Sequence, residues 1–352
     1  MILDQSFPTM VIGSLPRPAW VRDVIAARTQ GRLADEEADR LLDPGILFAI
    51  RMQERAGLDY ISDGEWRREN YVRVFADRVG GFTRDPTANY APRVIDRLVR
   101  ERAIVCDDAS FLRRHTDRRT MVALPSPFTI SMHLWDPKTS SAVYPHRESF
   151  VEDCAGIIRE EILALTAIGV DAIQLDEPWQ AWLTDPQRYH LNTDADIHAA
   201  VELSIHSVNT VTAGLVDASI SVHLCHAHGV AGEPGETTFN PLMEAVNRMN
   251  ADRFAMEFNS VASGGMAKLK DFPADKILGL GVLCPDGERV ETEEEIVERV
   301  ECALKFVSPD RLVINPDCGF ATSAALARDL DRAYAKLSVM CRAAERLRHR
   351  WD

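Results

Sequence analysis

The stretch HLCHAHG, residues 223–229, gathers three histidines and a cysteine in a chain that has ten histidines and seven cysteines. In an extended segment residues i and i+2 share a face, so His223 and Cys225 project together and Leu224 points away. One imidazole and one thiolate on the same side make half of a zinc site, and a soft divalent ion needs two further ligands. Cys318, in RLVINPDCG, and Glu257, in RFAMEFNS, are the neighbours of suitable type at the ends of other apolar runs. The candidate set is therefore His223, Cys225, Glu257 and Cys318 around one zinc. Each member has a plainer reading on its own. A buried cysteine is usually a small hydrophobe, a core histidine is usually hydrogen-bonded, and a lone glutamate often pairs with arginine. What singles out this set is the convergence of three separate run ends on one layer. His226 and His228 lie past the end of their run and read as loop residues outside the ligand set.

Such convergence needs a scaffold. Eight short apolar runs recur along the chain, at 9–14, 58–65, 120–127, 170–178, 219–226, 253–260, 276–283 and 311–319. Amphipathic stretches separate them. In EEILALTAIG, for example, Ile162, Leu163, Leu165 and Ile168 recur at helical spacing and Gly169 supplies a natural stop. Eight strand-then-helix units predict an α/β fold, a (β/α)8 TIM barrel spanning residues 1–352 as one catalytic domain. Residues 72–119 depart from the pattern. RVIDRLVRERAIVCD reads as an extra hairpin and DDASFLRRHT as a short helix, an insertion between the second and third strands.

A barrel of this kind carries its active site at the carboxyl ends of the strands. Here the run ends hold Gly13-Ser14, Asp63-Gly64-Glu65, Asp176-Glu177, His223-Leu224-Cys225, Glu257-Phe258-Asn259 and Asp317-Cys318. Core strands have no need of carboxylates and thiols there, so the concentration is a functional signal. The net charge of −14 argues against a nucleic-acid groove. No run of about eighteen apolar residues predicts a membrane span, and no signal peptide is visible. An odd number of cysteines without a dense framework fits free thiols in a reducing cytoplasm.

These residues together resemble the catalytic domain of cobalamin-independent methionine synthases, above all the single-domain members. The resemblance covers essentially the whole chain and rests on IGSLPRP (12–18), DGEWRREN (63–70), IQLDEP (173–178), HLC (223–225), EFNS (257–260), GLGV (279–282) and NPDCG (315–319). It implies a barrel with a catalytic zinc held by the same four residues. It also implies an amino-acid substrate held by Ser14, Glu65 and Asp176, and methyl transfer from a folate or corrinoid-protein donor to the thiolate of homocysteine. The family's loop after strand seven carries an acid histidine. The corresponding loop here, GVLCPDGERVETEEE, has none, and Asp286 stands at about that position. For the aromatic platform under a folate ring, Trp135 and Trp179 are the candidates.

Three other readings compete. A coenzyme M-type thiol opening an epoxide would keep the zinc; Arg17, and Arg67 or Arg68, are the candidates to hold a substrate sulfonate or carboxylate. Two carboxylates, Glu65 and Asp176, suit a substrate ammonium better, which favours homocysteine. A zinc-free decarboxylase of the uroporphyrinogen type would leave the His–Cys–Glu–Cys set idle. A zinc-stabilised binding protein would leave the acidic residues at the barrel mouth without a role. The sequence leaves the oligomeric state open, a homo-oligomer included.

Overall fold

The computed structural model describes residues 5–83, 92–178, 187, 191–225, 240–258 and 265–351. The chain order is α1 (Ala19–Thr29), α2 (Asp35–Ala56), β1 (Tyr60–Ile61), α3 (Arg73–Arg78), β2 (Val79–Phe82), β3 (Val94–Arg100), α4 (Cys106–Arg114), β4 (Arg119–Pro125), α5 (Pro127–Leu134), α6 (Arg147–Ala167), β5 (Ala172–Asp176), α7 (Asp194–Thr212), β6 (Ile220–Leu224), α8 (Asn240–Arg248), β7 (Arg253–Met256), β8 (Ile277–Gly281), α9 (Glu293–Ala303), β9 (Leu312–Asn315) and α10 (Leu330–Trp351).

Seven of these strands form one parallel sheet in the order β1-β4-β5-β6-β7-β8-β9. Strands β5 to β9 are buried at every residue, as expected of parallel strands covered on both faces. The sheet closes through the first apolar run. Thr9 bridges Ile314 and Met10 bridges Tyr60, both parallel, so residues 9–10 form the eighth stave between β9 and β1. Seven of the eight staves fall inside the apolar runs and β4 begins one residue before its run, at Arg119; the α/β barrel is the observed fold. Two runs give less strand than their length suggests. Only Thr9 and Met10 pair in 9–14, and only Tyr60 and Ile61 in 58–65. In the second run the backbone turns out of extended conformation at Gly64 (φ 71°) and Glu65 (φ 59°).

Local chemistry sets the helix limits. Thr193 with Asp196, and Thr292 with Glu295, make reciprocal capping boxes at the starts of α7 and α9. Ser126 Oγ accepts from the Thr129 amide at the start of α5, and Pro127 takes the first turn. Gly169 closes α6 in the left-handed region as expected (φ 80°). Along α6, Phe150, Cys154, Ile158, Ile162 and Leu165 form the buried stripe against the sheet. The hairpin in the insertion differs from the sequence expectation. Its two arms are β2 and β3, paired antiparallel from Val79↔Arg100 to Phe82↔Val94, so RVIDRLVRERAIVCD supplies one arm only. The other arm, VGGF, carries two glycines and none of the alternation that marks a strand. Among the described residues no helix is long and apolar enough to cross a membrane.

Candidate metal centre and thiol site

Parallel pairing aligns the strand ends. Asp176 at the end of β5 is the register partner of His223 on β6, and His223 that of Ala255 on β7. Cys225 follows β6 and Cys318 lies three residues past β9. The ligand atoms of His223, Cys225 and Cys318 all lie within 4.8 Å of one another, and all three residues are buried. The two sulfurs are 3.7 Å apart. Two sulfurs about 2.3 Å from a tetrahedral ion would stand about 3.8 Å apart, so this spacing fits one zinc. Cys225, together with burial, pushes the Cys318 thiol well above the ordinary thiol range. Two buried sulfurs this close carry charge together only with a cation between them. His223 completes the donor set. Its Nδ1 lies 3.3 Å from the Ala255 carbonyl oxygen, the usual partner of a metal-ligating histidine's far nitrogen. Its buried Nε2 has no hydrogen-bond partner of good geometry and lies beside the Cys318 thiol, within the sulfur cluster.

Glu257, the fourth member of the sequence-derived set, is not part of this cluster. It is buried on the first residue past β7. The next residue is tied to the β9 end, because the Phe258 amide donates to Asp317 Oδ1 at 3.2 Å. The backbone that carries Glu257 is therefore anchored to the segment that carries Cys318.

A second, acidic cluster shares the mouth. Glu65 is buried, and its amide donates to Asp63 Oδ1 at 3.0 Å. Its Oε1 lies 3.5 Å from Arg68, and its Oε2 has no partner. A Cβ on Gly13 would stand 2.3 Å from Glu65 Oε1, so only glycine lets the carboxylate approach the first stave. Burial raises the Glu65 carboxyl to about 7; Arg68 opposes the rise and Asp176 adds to it. Burial also raises Asp176, against His223, Gln174 and Arg68. Gln174, two residues earlier on the same strand face, donates from Nε2 to Asp176 Oδ1 (2.8 Å) and to the Ile12 carbonyl (2.7 Å). The sequence reading missed Gln174, although the i, i+2 rule applied at His223 and Cys225 would have found it. Glu177 points the other way and accepts from Thr129 and Ser204.

Ser14 and Arg17 join the first stave to the last. The Ser14 carbonyl accepts from the Phe320 amide at 2.9 Å, and its Oγ from the Ala321 amide at 3.3 Å. A Cβ on Gly319 would meet Ser14 Oγ at 2.4 Å. Arg17 donates to the carbonyls of Ala321 (2.7 Å) and Glu65 (2.8 Å). Arg17 is expected from sequence to hold a substrate anion; its two terminal nitrogens meet backbone and brace Glu65, while its buried Nε has no partner. Arg67 is likewise occupied, by Asp39, Asp43 and Asp108.

Two expected residues stand apart. Trp135 ends α5, donates from Nε1 to the Tyr144 carbonyl at 3.1 Å, and lies 5.2 Å under the Arg147 guanidinium. None of these contacts involves the thiols or Glu65. Asp286, in the loop after β8, pairs with Arg328 at 2.9 Å. Trp179, His226 and His228 lie outside the described residues.

The profile of the family described as "Cobalamin-independent synthase, Catalytic domain" matches residues 7–346. The chain belongs to the cobalamin-independent synthase family. A methionine synthase of Pyrococcus horikoshii is 29% identical over 356 residues, covering 97% of this chain and 93% of that protein. One from Saccharolobus islandicus strain Y.G.57.14 is 30% identical over 342 residues, covering 95% and 92%. Among solved structures, a B12-independent methionine synthase from Shewanella sp. W3-18-1, in complex with selenomethionine, superposes with a TM-score of 0.80 at 24% identity, covering 98% of each chain. In this cobalamin-independent synthase, the sulfur-rich cluster and the acidic cluster meet at Asp176 and His223, adjacent partners in the sheet.

Proposed function

We propose that the protein is a zinc-dependent methyltransferase that methylates the thiol of homocysteine to give methionine. The observation that carries the reading is the buried His223–Cys225–Cys318 cluster beside two buried carboxylates at one barrel mouth. His223, Cys225 and Cys318 would hold zinc, with Glu257 as the fourth ligand from the adjacent strand end. Zinc bound there would supply the substrate sulfur as a thiolate at neutral pH.

The chain's own groups do the rest. Glu65 and Asp176 face the substrate ammonium and orient the amino acid so that its sulfur reaches the cluster. Ser14 positions the carboxylate end, and Arg17 fixes the Glu65 backbone from behind. A bound ammonium returns Glu65 to its charged form, so recognition and ionisation are coupled. Asp286 stands at the position of the family's acid and would act on the leaving donor only once its ion pair with Arg328 opens, and Trp135, held by Tyr144 and Arg147, is the aromatic residue at the expected folate platform. A small-molecule folate or a corrinoid protein is the methyl donor. Seven free cysteines suit a reducing cytoplasm.

The competing thiol, coenzyme M, has a sulfonate and no ammonium. The two buried carboxylates, Glu65 and Asp176, disfavour it. The test is zinc stoichiometry on the purified protein, followed by turnover of homocysteine and coenzyme M with a panel of methyl and epoxide donors. About one zinc per chain and methionine formation are expected. Turnover of coenzyme M alone would overturn the amino-acid reading.

A further inference from the structure

Behind the acidic cluster a separate cavity of about 150 Å³ is lined by six arginines, Arg28, Arg67, Arg68, Arg73, Arg78 and Arg102. They come from four parts of the chain: the end of α1, the turn after β1, α3, and the segment after β3. Asp35, Asp77 and Asp108 share the wall, and Asp39, Asp43 and Glu65 reach Arg28, Arg67 and Arg68 from beside it, so what distinguishes the wall is which guanidinium nitrogens are left without a partner. Like charges gathered in a partly buried space repel unless something offsets them.

The internal pairing is incomplete. Arg102 meets Asp35 at 2.6 Å and Arg73 meets Asp77 at 3.3 Å; Arg67 is held by Asp39, Asp43 and Asp108, and Arg68 meets Glu65 at 3.5 Å. Arg28 meets Asp39 at 3.3 Å. Arg78, half-buried on the same wall, has no hydrogen bond or ion pair among the described residues. Arg68 is buried, and its Nε has no acceptor. Burial holds the Arg28 guanidinium below its ordinary range, and Arg78 adds to that depression.

We propose that this cavity is a binding site for a compact, multiply charged oxyanion of the phosphoryl class, separate from the thiol site. Guanidinium forks match phosphate oxygens in pairs, and the unmatched Arg78 and Arg68 Nε supply donors with no internal acceptor. The volume is below the roughly 300–1,000 Å³ of pockets that enclose drug-sized ligands, so the bound part is a single phosphoryl group. Its source is either free phosphate or the end of a phosphate monoester. Arg68 is shared with Glu65, so the informative variant is at Arg78, which touches neither the carboxylates nor the thiol cluster.

The experiment is calorimetric titration of the full chain with inorganic phosphate, methyl phosphate and succinate at constant ionic strength, with phosphorus NMR as a second readout. Phosphate should bind one per chain. Arg78→Met should weaken it about tenfold or more, the loss of a charge-assisted contact, while Arg97→Met on the exposed hairpin arm should not. If Arg78→Met fails to fold by circular dichroism, Arg78→Lys replaces it and should still weaken binding, because the fork is gone. Methyl phosphate binding as tightly as phosphate would identify a monoester as the ligand, and its exclusion would identify the free ion; both support the site. Absence of phosphate binding to the parent, equal affinity in the folded Arg78 variant, or succinate binding as tightly as phosphate would each overturn the proposal.

Discussion

Glu65 should make the protein less stable as the pH rises, and removing its charge should reverse this. Burial raises its carboxyl from the ordinary 4.5 to about 7 in the folded state. A raised carboxyl favours the fold while protonated. That advantage is full below about pH 4.5 and is lost as the pH climbs through about 7. Integrating the linkage between about pH 5.5 and about pH 8.5 gives a relative loss of about 2 kcal/mol. A chain of 352 residues has an unfolding entropy near 0.7 kcal/mol/K, so the loss corresponds to about 3 °C in Tm. Glu65→Gln has no such titration. Thermal unfolding of the substrate-free parent and variant across that range should show the Tm difference shifting in the variant's favour by about 3 °C from acid to alkaline pH. The slope is the diagnostic, because a constant offset would only report repacking around the amide. Parallel curves would refute the claim that burial sets the state of Glu65. The same variant should lose affinity for homocysteine, so a residue that costs stability at neutral pH would be retained for binding.

Cys225→Ser and Cys318→Ser should each lose most of the zinc measured by elemental analysis, and full occupancy in both would remove the ligand assignment. Glu257→Gln should lose less, since its carboxylate stands outside the three-residue cluster; a complete loss would give it equal rank with the thiols. Asp176→Asn should keep zinc and weaken homocysteine about tenfold to a hundredfold in titration calorimetry, an outcome contradicted by unchanged binding. Homocysteine added to zinc-loaded protein should release close to one proton, measured in buffers of different ionisation enthalpy, and the hydroxyl analogue should release far fewer; equal release from both would rule out thiol deprotonation.

The barrel was legible because buried parallel strands leave unbroken apolar runs, and the staves coincide with them, β4 alone starting one residue early at Arg119. The His223/Cys225 pair followed from strand alternation alone. Features that depend on three-dimensional closure were not legible. That two of Arg17's nitrogens meet the carbonyls of Glu65 and Ala321, the latter 304 residues away, cannot be read from SLPRP. VGGF could not be read as a hairpin arm because glycines carry no side-chain pattern. Arg78 lies in an ordinary amphipathic turn, and only its neighbours in space make it unusual. Residue type and run end placed Glu257 on the strand end beside the cluster, but neither sets the direction of its side chain relative to the thiols.

The stave at Thr9–Met10 has a consequence for how the protein is made. Its partner across the seam, Ile314, is translated about 300 residues later, and Ser14 and Arg17 wait for the Phe320–Ala321 segment in the same way. At ordinary elongation rates of about 5–20 residues per second, the first stave spends roughly 15–60 s on the nascent chain without one of its two neighbours. During that interval the sheet has two open edges, so its unpaired amides and apolar faces are available to chaperones or to other nascent chains. The seam also joins the segment holding Ser14 to the one holding Cys318, so the thiol site assembles only when the ring shuts.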